Sequence, residues 1–165
     1  MGKSLRIVII VALMALQVFV GIPQFVTDGP YIQRALLYSF FHASWWHLAI
    51  NAIAVWTIYQ PKRKVSFLQL VISFLIAVAV YPLSFRPVIG FSNILYATLG
   101  LRTPPLSSSW WKQPTVIVFI VASLAMVFIP QLSATTHIAA FICGMACAAL
   151  RRFHLKLTKD ARRYY

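Results

Sequence analysis

The chain has 165 residues, of which 61% are apolar and 10% charged, with a formal net charge of +13. Soluble domains carry about 25% charged residues, so this composition excludes a soluble globular fold and places the chain among integral membrane proteins. A strongly basic balance can signal nucleic acid, but here Lys and Arg cluster beside apolar segments, the pattern of a topology signal, and no nucleic-acid partner is expected.

Six apolar segments follow in order. Leu5 to Ile22 is the first, with Lys3 before it and Arg6 at its start. Its basic start is that of a signal peptide, but no small-residue cleavage pattern stands at Gly21-Ile22-Pro23-Gln24, so an uncleaved helix is expected. A long connection, Pro23 to Phe41, is expected to lie in the membrane interface. The second helix is predicted from about Ser44 to Tyr59, before Gln60-Pro61 and the basic run Lys62-Arg63-Lys64. The third covers Phe67 to about Phe85. The fourth, Ser92 to Leu101, is too short to cross a bilayer and is closed by Arg102 and Pro104-Pro105. The fifth runs from Thr115 to Ile129 and stops at Pro130, and the sixth from about Ala134 to Leu150, ahead of a basic tail, Arg151 to Tyr165. The segments and their connections use nearly all of the chain, so one domain, 1–165, is expected. Cys143 and Cys147 read as small packing residues within the sixth segment, and Trp45, Trp46, Trp110 and Trp111 as interface anchors.

Charge sets the orientation. With both termini cytoplasmic, thirteen of the fifteen basic residues fall on the inside, and only Arg34 and Arg86 on the outside. Depth can then be counted from the inner surface at 1.5 Å per residue. Ser92, ten residues before Arg102, lies roughly 15 Å up. Asn51 and His47 lie roughly 16 and 22 Å above Lys62, and His137 roughly 21 Å above Arg151. Four polar side chains from three helices thus share one layer inside a hydrocarbon core about 30 Å thick. Groups at that depth are tolerated only where protein encloses them or water reaches them. His47 and Asn51, four apart, project from one helix face. His42, five before His47, falls off that face and belongs to the turn above. On the sixth helix Ala140, Gly144 and Ala148 form a stripe of small residues that admits a close neighbour.

The inventory narrows the chemistry. There is no glutamate, hence no His-Glu-x-x-His zinc site, and the two acids, Asp28 in the outer connection and Asp160 in the tail, cannot form an aspartate pair in the membrane. What remains is a hydroxyl nucleophile with an imidazole base and no buried carboxylate. His137 is placed to take the Ser92 proton, while His47, Asn51 and the Ser92 backbone N–H offer donors to an oxyanion. No cofactor or metal is expected. Taken singly, Ser92 reads as a helix N-cap and each histidine as a packed polar residue; their shared depth favours a site. A histidine-based channel or metal carrier lacks acids and cysteines at ligand spacing.

The segments His42-Ala-Ser-Trp-Trp-His47-Leu-Ala-Ile-Asn51, Gly90-Phe91-Ser92 with Tyr96 four residues on, and His137-Ile-Ala-Ala-Phe-Ile-Cys-Gly144, in this order and on these helices, resemble the rhomboid family of intramembrane serine proteases. The resemblance implies an all-α membrane protein: a bundle of six transmembrane helices with a short central fourth helix. It also implies hydrolysis of a peptide bond in or beside a substrate's transmembrane segment. Carried over, Ser92 and His137 are the catalytic dyad, and His47 and Asn51 help form the oxyanion hole. Gly90 opens the nucleophile turn, Tyr96 packs on the catalytic histidine and His42 supports the rim. The fifth helix and the loop at Pro130 to Ser133 resemble a lateral gate, through which a transmembrane protein substrate would pass from the lipid bilayer. The size and the lack of an organellar signal point to a bacterial cytoplasmic (inner) membrane.

The chain departs from the family pattern at Asn93, where glycine is usual, at Ala140, also usually glycine, and at Gln33-Arg34, where Trp-Arg is common. Asparagine tolerates a left-handed turn better than most residues, and its amide would either crowd the cavity or add a hydrogen bond. Ala140 would widen the gap between the fourth and sixth helices. A catalytically inactive rhomboid-like protein that binds transmembrane helices is the alternative that Asn93 motivates.

Overall fold

Apolar runs that cannot hydrate their backbone satisfy it internally, and the chain does so with helices. The computed structural model describes residues 3–20, 28–59, 65–84, 89–103, 114–127 and 133–161. Among these, the regular elements are α1 (Lys3–Phe19), α2 (Tyr31–Leu37), α3 (Trp45–Ile58), α4 (Phe67–Val80), α5 (Ser92–Arg102), α6 (Pro114–Val127) and α7 (Ala134–Ala161), with 3-10 turns at Tyr38–Phe40 and Tyr81–Leu83. Six helices correspond to the six apolar segments, and α2 lies within the first connection.

Three boundaries differ from expectation, two of them for evident local reasons. The third segment leaves the α-helix at Val80 because Pro82, early in the following 3-10 turn, has no N–H to continue the ladder. The sixth runs through the basic tail to Ala161, since residues 151–161 contain no glycine or proline and several good helix formers. α1 ends at Phe19, three residues before the expected Ile22. Several sequence expectations fall outside the described residues: the Gly21–Gln24 cleavage test, the end of the third segment at Phe85, the basic residues Lys62 to Lys64, Arg86, Lys112, Arg162 and Arg163, the anchors Trp110 and Trp111, and the gate loop at 130–132.

Apolar side chains cover the outside as well as the core, and polar ones are buried among them. Ile50, Ile53, Leu75, Val121 and Ile142 are exposed, while Asn51, Ser73, Asn93, Thr98, Thr136 and His137 are buried. Length adds to the picture: among the described residues one stretch, Ala134–Lys156, is both long and apolar enough to cross a membrane on its own. α7 in full, with 28 residues, extends about 42 Å.

α5 is enclosed, with every residue from Asn93 to Gly100 buried. It packs against α3, α4, α6 and α7, and most extensively against α7. Two glycines make that possible. A Cβ on Gly100 would collide with the Phe141 carbonyl, and one on Gly144 with the Ala97 carbonyl. Ala140 is fully buried and Ala148 nearly so. The stripe therefore meets a neighbour as expected. Lipid tails are as apolar as side chains, so helix association draws on such close contact more than on hydrophobic transfer.

Arginines close one end of α3. Arg6 on α1 donates to the Trp56 carbonyl at 3.0 Å and lies 4.2 Å over the Trp56 ring. Arg102 donates to the Ile58 carbonyl. Carbonyls of a last helical turn have no partner within the helix, and these two side chains supply one.

Candidate active site

α3 begins with Ser44 as its N-cap, whose hydroxyl accepts the His47 N–H at 3.1 Å. This cap places His47 in the first turn and Asn51 one turn later on the same face. Asn51 is buried, and its side-chain nitrogen donates to the His47 carbonyl at 3.1 Å. Both side chains face Gly90: a Cβ there would lie 2.6 Å from His47 Cε1, 2.7 Å from Nε2 and 3.5 Å from Asn51 Nδ2. Gly90 also has φ +139°, a conformation that L side chains rarely adopt. Glycine is required at this position twice over, for backbone shape and for the room that His47 takes.

Two residues later α5 starts. Its N-cap is Phe91, with no side-chain cap, so Ser92 is the first helical residue and its hydroxyl is not spent on capping. The N-cap reading of Ser92 is thereby corrected. Ser92 Oγ lies 2.6 Å from His137 Nε2 on α7. With Nε2 accepting the serine proton, the imidazole carries its own proton on Nδ1. No carboxylate holds that nitrogen, and Nδ1 is buried without a hydrogen bond. The ring is held by packing instead: Tyr96, one turn after Ser92, lies 4.8 Å from it between centroids. Tyr96 in turn meets Phe119 of α6 at 5.7 Å, and Phe119 stacks on Phe141 at 3.9 Å.

His42 sits before the α3 cap, as expected from its spacing. It is fully buried, edge-on to His47 at 5.3 Å between ring centroids, and neither of its ring nitrogens has a hydrogen-bond partner. The structure thus brings Ser92, His137, Tyr96, Gly90, His47, Asn51 and His42 into one neighbourhood. Among the described residues no group of three or more His, Cys, Asp or Glu side chains is placed to hold a metal ion.

Asn93 resolves the departure at the position after the serine. Among the described residues no non-glycine residue has positive φ, so the left-handed turn anticipated at Asn93 is absent. Its side chain is fully buried, and Nδ2 donates to Tyr38 Oη at 2.9 Å.

A second polar cluster on α5 went unread in the sequence. Thr98 Oγ1 donates to the Ile94 carbonyl at 2.8 Å, and Tyr59 Oη and Ser73 Oγ lie 3.1 and 2.9 Å from it. Its one proton is committed to the carbonyl, so the other two hydroxyls donate to it. Gly100 was missed as well, although a glycine inside a helical pattern signals close approach.

Compared with protein-family models, the chain matches the one described as Rhomboid domain over residues 30–153, which is 124 of its 165 residues. No curated protein and no solved structure matches it.

Proposed function

The chain belongs to the rhomboid family, and from that premise we propose that it is an active intramembrane serine protease, with Ser92 as nucleophile and His137 as general base. The observation that carries this reading is the 2.6 Å approach of Ser92 Oγ to His137 Nε2, inside the reach required for proton transfer. A hydroxyl and an imidazole from separate helices, both largely removed from solvent, have little structural reason to meet where no cap and no carboxylate organises them.

In this mechanism Ser92 Oγ attacks the scissile carbonyl carbon while its proton passes to His137 Nε2. The carbonyl oxygen becomes an oxyanion, stabilised by donors from His47, Asn51 and the Ser92 backbone N–H. His137 returns the proton to the departing amine, leaving an acyl-serine. Water, deprotonated by the same histidine, then releases the second product and restores the hydroxyl. No cofactor or ATP enters the cycle. The roles of Tyr96 and His42 are to hold the imidazole and the cavity rim, and Gly90 leaves space for the His47 ring.

The same reading extends to architecture. The multi-pass chain forms six spans around a short central fourth helix, α5, as one domain with both termini cytoplasmic, in a bacterial inner membrane. Its substrate is a transmembrane protein that enters laterally beside α6. The inactive-binder alternative rested on Asn93, whose amide is engaged with Tyr38. The test uses purified protein in lipid vesicles with a transmembrane substrate: Ser92→Ala and His137→Ala each abolish cleavage, and a fluorophosphonate modifies Ser92 in the wild type. Unimpaired cleavage by Ser92→Ala ends the protease reading.

A further inference from the structure

Nothing in the chemistry above accounts for how Ser92 is held still. α5 starts without a side-chain cap, and its first residue carries the nucleophile. The turn before it, through Gly90, has the conformational freedom that glycine brings. A serine in such a place would wander unless both flanks were tied down.

Both flanks reach one residue. The Gly90 N–H donates to the Tyr38 carbonyl at 2.9 Å, and the Asn93 amide donates to the Tyr38 phenol at 2.9 Å. Tyr38 is itself anchored. Its Oη donates to the Ala77 carbonyl on α4 at 2.8 Å, its ring packs against Tyr81 with centroids 4.8 Å apart, and it is fully buried. The direction of the chain of bonds is forced. A carbonyl can only accept, so the phenol proton goes to Ala77, and toward Asn93 the Tyr38 Oη can act only as an acceptor. This places the amide nitrogen of Asn93 toward Tyr38 and leaves Oδ1 as a buried acceptor without a partner.

We propose that Tyr38 is the positioning residue for Ser92, clamping the nucleophile turn on both sides, through its backbone to Gly90 and through its phenol to Asn93. The inference rests on the protease reading. It assigns Asn93 a function that the glycine usual at that position cannot perform, since glycine has no amide to offer the phenol. Buried hydrogen bonds that lose one partner leave the other desolvated, and a displacement of about 1 Å at a reacting atom costs about a hundredfold in rate. A partial loosening of the clamp is therefore expected to cost about tenfold.

The experiment measures two quantities on the full chain in lipid vesicles: the second-order rate of Ser92 labelling by a fluorophosphonate, and the melting temperature. Tyr38→Phe and Asn93→Ala remove the same bond from opposite ends, and each is expected to slow labelling per folded molecule about tenfold. Their double variant is expected to be no slower than the slower single variant, because the two changes share one interaction. Ser73→Ala, which disrupts the Thr98 cluster instead, is expected to lower the melting temperature while leaving the labelling rate of folded protein unchanged. If Tyr38→Phe does not fold, Asn93→Ala carries the same expectation alone. Labelling of either single variant at the wild-type rate overturns the clamp and leaves the protease reading standing. A double variant whose loss equals the product of the two single losses also overturns it. A wild type that does not label at Ser92 overturns the clamp and the protease reading together.

Discussion

α5 carries two polar clusters built on opposite principles. Around Thr98 every side-chain hydroxyl has a partner: three helices contribute, one carbonyl terminates the chain, and the glycine contact with α7 lies half a turn away. Around Ser92 bonded groups stand beside unsatisfied ones. Both ring nitrogens of His42, Nδ1 of His137 and Oδ1 of Asn93 are buried without partners. An orphaned buried polar group costs about 1–3 kcal/mol, so the first cluster stabilises the bundle while the second draws on that stability. The unspent hydrogen-bonding capacity sits at the end of α5 that carries the proposed dyad, and the saturated capacity where three helices meet.

Substitutions can break or sharpen this contrast. Gly144→Leu should have the largest effect. Even a Cβ there meets the Ala97 carbonyl, and with backbone on both sides there is no route to relax, so a loss above about 5 kcal/mol is expected. The check is the yield of folded, monodisperse protein after membrane extraction. Ser92→Ala is next, with cleavage falling more than about a thousandfold while the melting temperature moves little, because the hydroxyl bonds only one neighbour. Asn51→Ala should reduce kcat about a hundredfold, the scale of one oxyanion donor, again with a small thermal effect; steady-state cleavage of a transmembrane peptide measures it. Thr98→Val is the smallest and the opposite in kind. Two hydroxyls lose their acceptor, stability drops about 2 kcal/mol, and cleavage per folded molecule stays at the wild-type value, as thermal unfolding and active-site titration together would show. A Thr98→Val protein with intact stability but lost activity would erase the distinction between the clusters.

Much of the site was legible because it obeys helical geometry. His47 and Asn51 share a face by their spacing, and depth counting put Ser92 and His137 in one layer. Each apolar run holds a helix among the described residues, though the helix Tyr31–Leu37 in the first connection was not foreseen, and the stripe at Ala140, Gly144 and Ala148 foretold a close neighbour. What stayed hidden depends on partners far apart in the chain. Tyr38 lies in a connection that reads as interfacial, and nothing local indicates that its carbonyl and its phenol meet residues 90 and 93. Thr98, Tyr59 and Ser73 look like ordinary tolerated polar residues until three helices converge. The tail was misjudged for a different reason: a basic run reads as a topology signal, but lysine and arginine are also good helix formers, and α7 continues through them to Ala161.

The glycine crossing of α5 and α7 has a mechanical corollary. Ser92 precedes Gly100 by eight residues and His137 precedes Gly144 by seven, so each reactive group rides about two turns, or roughly 12 Å, from a fulcrum where backbone touches backbone. On an arm of that length a tilt of about five degrees becomes an excursion of about 1 Å at the tip. If the proposed dyad is the reactive pair, rigid contact at the fulcrum sets its geometry at a distance, and a lipid environment that rocks one helix against the other would tune the rate without touching either atom.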